Sequence, residues 1–206
     1  MPETETTPQH VVTALDLAAR ARLQDGLNSV EILAPGQPLP ACRPGDFLLV
    51  KGTAPLSYLI RFGERLHHPK PAAQWSHAAL VVGQGSLAEA LARGIQFSDA
   101  AKYDTRWRAL VRVVGSSEAR ANAMRYAEAC IGEDYGFVDF ASVILSQLFG
   151  LRLILTTARS QICSEFVAHA LERLGYVFPQ TPELTTPADL YQIFAAPQAA
   201  KERAGA

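Results

Sequence analysis

The chain has 206 residues, 49% hydrophobic and 19% charged, which is ordinary globular material that one domain can bury around a single core. A formal net charge of −1 and a pI near 6.5 exclude a general attraction to nucleic acid or to anionic membrane. The three cysteines, Cys42, Cys130 and Cys163, show no metal-ligand spacing and are too few for a disulfide framework, so reduced thiols, no metal and no cofactor are expected.

The first residues, Met1-Pro2-Glu3-Thr4-Glu5, are acidic and lack the basic start and apolar run of a secretory signal. The expectation is a cytoplasmic protein, although export by another route or carriage on a phage particle would leave the same sequence. Val12, Leu15, Ala19 and Leu23 fall on one face, with Gly26 as a stop, and predict a peripheral helix. The connector 34–40, rich in Pro and Gly, leads to Arg43-Pro44-Gly45-Asp46, a turn that launches the apolar strand Phe47–Val50. The organisation expected is therefore a peripheral helix and connector over 1–43, a domain over 44–195 and a frayed tail over 196–206. Pro55–Leu66 reads as a short helix ended by His67-His68-Pro69. With no carboxylate or cysteine at ligand spacing, that His pair reads as a solvated loop.

Trp75–Val82 reads as a strand, Gly83-Gln84-Gly85 as its turn, and Ser86–Leu91 as the returning arm of a hairpin. A three-residue loop sets Val82 opposite Ser86 and Ala79 opposite Glu89, which puts Glu89 on the face of His77 and diagonal to it. A two-residue loop sends the two side chains to opposite faces. Gly85 is free to take the positive φ that the three-residue form needs. A His77–Glu89 pair has a chemical use, because the carboxylate fixes the imidazole's tautomer while the other ring nitrogen handles a proton. On its own, without Cys163, it reads as a half-buried polar pair on a sheet.

Gly94–Phe97 reads as a further short strand, and Trp107, Ala109, Val111 and Val113 alternate with Arg108 and Arg112 as a half-buried one. Ser116 or Ser117 caps a helix over about 118–130 that ends at Gly132, and Cys130 shares its Ala123 and Ala127 face as core packing. Phe137–Leu155 is strongly apolar, but Asp139, Ser142, Gln147 and Arg152 interrupt it, so a core helix is expected rather than a membrane span. There is no internal repeat or low-complexity block.

Cys163 then opens an amphipathic stretch in which Phe166, Val167, Ala170, Leu171 and Leu174 share one face and Gly175 ends the helix. A thiol at a helix N-terminus meets unpaired N–H groups and the positive end of the macrodipole, which favours its thiolate. An isolated cysteine on an apolar face is a small core hydrophobe. His77 and Glu89 are what would make this one a nucleophile.

The motifs Pro44-Gly45-Asp46-Phe47, Trp75-Ser76-His77-Ala78, Glu89-Ala90, Cys163-Ser164-Glu165-Phe166 and Thr186-Pro187-Ala188-Asp189-Leu190 resemble the permuted papain-like enzymes. More narrowly, they resemble the YiiX-like branch of the NlpC-type cysteine hydrolases, over about 44–190. The order histidine, acidic residue, cysteine is that of the circularly permuted family. The resemblance implies Cys163 as nucleophile, His77 as general base and then acid, and Glu89 as the residue that orients His77. It sets Tyr135, Ser76 and Ser164 near the substrate. The implied fold is α+β, an antiparallel sheet packed on the cysteine helix, in keeping with strands joined by a hairpin. The implied reaction is cleavage of an amide bond, peptide or isopeptide, through an acyl-enzyme, with the Cys163 backbone N–H as oxyanion donor. Partners implied are peptide, peptidoglycan-derived or lipid acyl substrates. Lecithin:retinol acyltransferase-like proteins are similar relatives, so a lipid acyltransferase or phospholipase using 137–155 as an acyl groove stays open, as does a non-catalytic binding module.

Overall fold

The computed structural model describes residues 28–53, 55–91, 94–132 and 154–204. The expected N-terminal helix, Tyr135 and nearly all of the 137–155 stretch lie outside them. The described chain runs β1 (Ser29–Leu33), β2 (Phe47–Val50), α1 (Pro55–His67), β3 (His77–Gly83), β4 (Ser86–Leu91), β5 (Gly94–Asp99), a 3-10 turn (Ala100–Tyr103) and β6 (Arg108–Arg112). Helices α2 (Ser117–Cys130) and α3 (Ile154–Arg173), a second 3-10 turn (Pro182–Leu184) and α4 (Pro187–Ala204) complete it.

The strands form one sheet in the order β1-β6-β2-β3-β4-β5, every neighbouring pair antiparallel. The α+β class with an antiparallel sheet is as expected. The sheet begins earlier than Pro44, however: all five residues of β1 pair with β6. The boundary expected at residue 44 is thus corrected, since 29–33 is part of the sheet and not of a connector. At the other end α4 is helical to Ala204, which replaces the expected tail.

Both faces of the sheet are covered, which explains why β2 is apolar at every position. Phe47 and Leu49 join Ala78, Leu80, Ala88 and Val111 under Phe166, Val167, Leu171 and Phe194 of the helices. Leu48 and Val50 join Ala79, Val81, Leu87, Leu110 and Tyr103 on the other face, where Leu39 and Cys42 of the connector pack. A fully buried Leu contributes about 1.5–3 kcal/mol relative to an exposed one, so these two layers hold the sheet. The covering also corrects the reading of β6. Arg108 is 0% exposed and Trp107 is 45% exposed. The connector that lies over this face supplies the Gln37 carbonyl to Arg108, and Asp104 bonds its Nη1 at 2.5 Å.

Asp46 of the turn before β2 is buried and accepts from the N–H groups of Arg43 (2.8 Å) and Val113 (3.1 Å) and from Arg120 (3.3 Å). It is the brace that ties β2 to the end of β6. In the β3–β4 hairpin Gly83 pairs with Ser86 around a two-residue turn, Gln84-Gly85, with Gly85 at φ +76°. A bulge between Val81 and Gly83 then restores the register Val81↔Leu87 and Leu80↔Ala88. The expected three-residue loop is thus a two-residue turn plus one inserted residue, and the extra residue leaves side-chain parity as expected.

α2 is capped by Ser116, whose side chain accepts from the Ala119 N–H at 3.1 Å. α3 ends in a left-handed Gly175 (φ +94°), with the Tyr176 N–H bonded to the Leu171 carbonyl and Gly175 to Glu172. Its start differs from the sequence expectation. The helix begins at Ile154, more than two turns before Cys163. α3 contacts α1, α2, α4, β3 and β4, and so sets the position of Cys163 against the sheet. No described helix is long and apolar enough to cross a membrane.

Candidate active site

His77 is the first residue of β3, paired with Val50, and its half-buried ring stands where the strand starts. Cys163 reaches it from the helix-covered face, where it packs in the larger core cluster. Glu89 and Tyr103 reach it from the other face. The His77 Nε2 lies 2.7 Å from Glu89 Oε2, which leaves Nδ1 for its hydrogen bond with the Cys163 side chain. The three residues expected to act together are therefore brought together, His77 between the other two.

Glu89 is 0% exposed yet has a donor on each side. Its Oε2 accepts from His77 and from the Tyr103 hydroxyl at 2.5 Å, and its Oε1 from Ser98 and the Lys102 ammonium. Burial opposes its charge, but the hydrogen bond and charge of His77, then Lys102 and Ser98, hold the carboxyl down to about 2. For His77 burial again opposes the charged form. The charge and hydrogen bond of Cys163, then those of Glu89, outweigh burial and raise the imidazole to about 9. Burial and the neighbouring carboxylate push the Tyr103 hydroxyl up, so it stays protonated and donates to Glu89. The ensemble thus favours the imidazolium form of His77 beside the Cys163 side chain.

Ser98, Lys102 and Tyr103 were not picked out from the sequence. Ser98 was within reach of the parity argument, because Glu89↔Gln96 and Leu87↔Ser98 put it diagonal to Glu89 on the same face. Lys102 and Tyr103 sit in a 3-10 turn, which has no periodic signal to read.

The helix-terminus argument for Cys163 is corrected by the start of α3. Inside a helix its N–H belongs to the intrahelical ladder, so neither the macrodipole end nor oxyanion donation from that N–H applies. The His77 imidazole is a charged partner of the thiol. The serines expected near substrate have structural bonds. Ser76 Oγ accepts the Gly52 N–H at 3.0 Å, and Ser164 donates to the Thr185 carbonyl at 2.5 Å. A Cβ on Gly52 would stand 2.2 Å from Ser57 Oγ and 2.8 Å from Ser76 Oγ, so the strand end before α1 has room for glycine only.

The remaining thiols differ. Cys130 is buried in the same cluster as Cys163. Cys42 is half-buried, its Sγ 3.6 Å from Gln84 Oε1, and burial pushes its thiol up. Of the metal-capable groups among the described residues, Glu165, His169 and Glu183 converge within 4.8 Å. His169 is there paired with Glu172 at 3.0 Å and with Glu183 at 3.8 Å, an ion-pair cluster on the outer side of α3. The His67-His68 reading also changes. His67 is exposed, but His68 is half-buried against Glu64 (3.2 Å), Asp189 (3.7 Å) and Gln192 (3.2 Å), and joins α1 to α4.

The chain matches no family model, and comparison with curated proteins and with solved structures gives no match to either.

Proposed function

We propose that this chain is a permuted papain-like cysteine hydrolase that cleaves an amide bond, peptide or isopeptide, through a Cys163 acyl-enzyme. The observation that carries the proposal is the placement of one imidazole between a thiol and a buried carboxylate, with Glu89 on Nε2 at 2.7 Å and Cys163 as its other partner. The chain order His77, Glu89, Cys163 and the packing of α3 on an antiparallel sheet support the permuted family.

In the first half-reaction the Cys163 sulfur attacks the acyl carbon and the carbon–nitrogen bond breaks. The imidazolium of His77 gives its proton to the departing amine. In the second, His77 takes a proton from water as its oxygen attacks the thioester, and the sulfur leaves as thiolate. Glu89 supports the imidazolium in both steps and holds the ring with its Nε2 turned inward.

A second reading, acyl transfer or hydrolysis on lipid, is favoured by α1. Tyr58, Phe62 and Leu66 recur at helical spacing on this helix, each more than half exposed, with Arg65 exposed beside them. Incubation with muropeptides, isopeptide-linked proteins and phospholipids, followed by mass spectrometry of products and of Cys163, tests both. A stoichiometric acyl adduct on Cys163 that turns over is expected from the amide substrates. Turnover of phospholipid alone selects the second reading, and the absence of any Cys163 adduct contradicts the mechanism.

A further inference from the structure

We propose that Lys102 is a positioning residue of this site, whose charge on the far oxygen of Glu89 keeps that carboxylate from binding the His77 proton too tightly for it to be given up. The inference rests on the hydrolase reading for its purpose, but its physical content is a coupling between three described side chains.

Glu89 divides its two oxygens between two cations. Oε2 holds His77 at 2.7 Å, and Oε1 holds the Lys102 ammonium. The lysine is not packed there for burial, since its side chain is about a third exposed. Its chain crosses the Tyr103 ring, with Nζ 4.9 Å from the ring centroid, to reach a carboxylate that has no solvent access of its own. Tyr103 is therefore both the platform for the lysine and a donor to Oε2 at 2.5 Å. Among the described residues, the groups that face His77 are Cys163 from α3, Glu89 from β4 and the Tyr103 ring at 5.9 Å from the 3-10 turn. Behind these stand Lys102 and Ser98 on Glu89, and Arg106, whose guanidinium lies 5.7 Å over Tyr103.

An orienting carboxylate has two effects that conflict. It holds the imidazole, and it raises the imidazole's affinity for the proton, whereas a general acid works best with a pKa near the operating pH. His77 is already raised to about 9. A buried, unopposed carboxylate at hydrogen-bond distance would raise it further, because the interaction in a poorly solvated site is little screened. A cation on the opposite oxygen offsets that pull without moving the carboxylate. A hydrogen bond from Ser98 or Tyr103 holds geometry but brings no net charge, so the lysine is the part of the cage that sets the field.

The test is the pKa of His77 followed by nitrogen-15 NMR of labelled protein in four forms: parent, Lys102→Met, Lys102→Gln and Lys102→Arg. Glutamine can still donate to Oε1 without charge, and arginine restores charge with a different shape. The expected result is a rise of about one pKa unit, tenfold in proton affinity, in the Met and Gln variants and a return to the parent value in Arg. An unchanged or lowered His77 pKa in a folded Gln variant overturns the proposal. A repeat in Cys163→Ala removes the thiol while keeping Glu89. The Lys102→Gln rise is expected there too, and its absence contradicts the coupling. Because the readout is a titration and not turnover, loss of the hydrolase reading would show separately, as absence of an acyl adduct with the His77 shift intact.

Discussion

His77 meets Glu89 at 2.7 Å at the start of β3, and His68 meets Glu64 at 3.2 Å at the end of α1. Both glutamates are nearly inaccessible, yet their environments push them in opposite directions. Glu89 has four donors, and its carboxyl is held down to about 2 by those partners against its burial. Glu64 is raised, first by burial and then by the Asp189 carboxylate, with His68 and Thr186 offsetting only part. The outer nitrogens differ too. His68 Nδ1 is bonded to Gln192, a side chain that does no chemistry, while the remaining nitrogen of His77 has a thiol. A His–carboxylate contact is thus common to a helix seam and to the arrangement we propose as catalytic. What separates them is a fully satisfied carboxylate behind the ring and a thiol in front of it.

The comparison breaks most sharply on substitution of the reacting groups. Cys163→Ala should abolish acyl-enzyme formation, and His77→Ala should slow it by about 10²–10⁴-fold, the usual worth of a positioned acid–base group. His68→Ala should leave that rate within about twofold and instead lower stability by about 1 kcal/mol, from the loss of the α1–α4 hydrogen bonds. Adduct formation on Cys163 and urea unfolding of the three variants decide between these outcomes; equal loss of rate in His68→Ala would erase the distinction.

The carboxylates should then differ in how they tie stability to pH. Glu89 is depressed in the folded protein, so its contribution is present above the ordinary value near 4.5 and is lost as pH falls toward about 2. His77 is raised, so its contribution is full below its ordinary value of 6.5 and is lost as pH rises through about 9. The pair therefore stabilises most between about 4.5 and 6.5. Glu64, also raised, works the other way from Glu89: its protonated form is favoured by folding, and that contribution is lost as pH climbs above 4.5. Unfolding midpoints across pH should show Glu89→Gln flattening the acid limb. Glu64→Gln should remove part of the loss above pH 4.5.

The smallest effect concerns Glu64→Gln at neutral pH, which should be neutral or slightly stabilising because it removes a buried charge next to Asp189. Glu89→Gln under the same conditions should destabilise, since it leaves Lys102 and the His77 imidazolium without their counter-charge. A shared sign for the two substitutions in thermal unfolding would contradict the contrast drawn above.

How far the sequence could be read follows the same physics. The hairpin parity was legible because a period of two leaves only two choices, and glycines at 83 and 85 marked the turn. The bulge that delivers that parity was not, since an inserted residue has no residue type of its own. Strand β1 was hidden by its length of five residues and by a partner, β6, that is distant in the chain. The start of α3 had no sequence signal because Thr156, Thr157 and Ser160 are weak helix formers and the apolar periodicity begins only at Cys163. Asp46, part of the motif that carries the resemblance, has its account in three hydrogen bonds that join β2, the turn and α2. The lysine and tyrosine behind Glu89 depend on where one 3-10 turn lands, which no local pattern encodes.

The most direct test of the central claim compares Cys163, whose side chain is hydrogen-bonded to the His77 imidazole, with Cys130; the two thiols are 1% and 5% exposed in one apolar cluster. Iodoacetamide labelling of the native protein, read by peptide mass spectrometry from about pH 5 to 9, should modify Cys163 well ahead of Cys130 and of Cys42, whose thiol is pushed up by burial. His77→Ala should slow Cys163 and leave the other two unchanged. If Cys163 instead labels only after denaturation, together with Cys130, it is a packed core thiol and the hydrolase account is wrong.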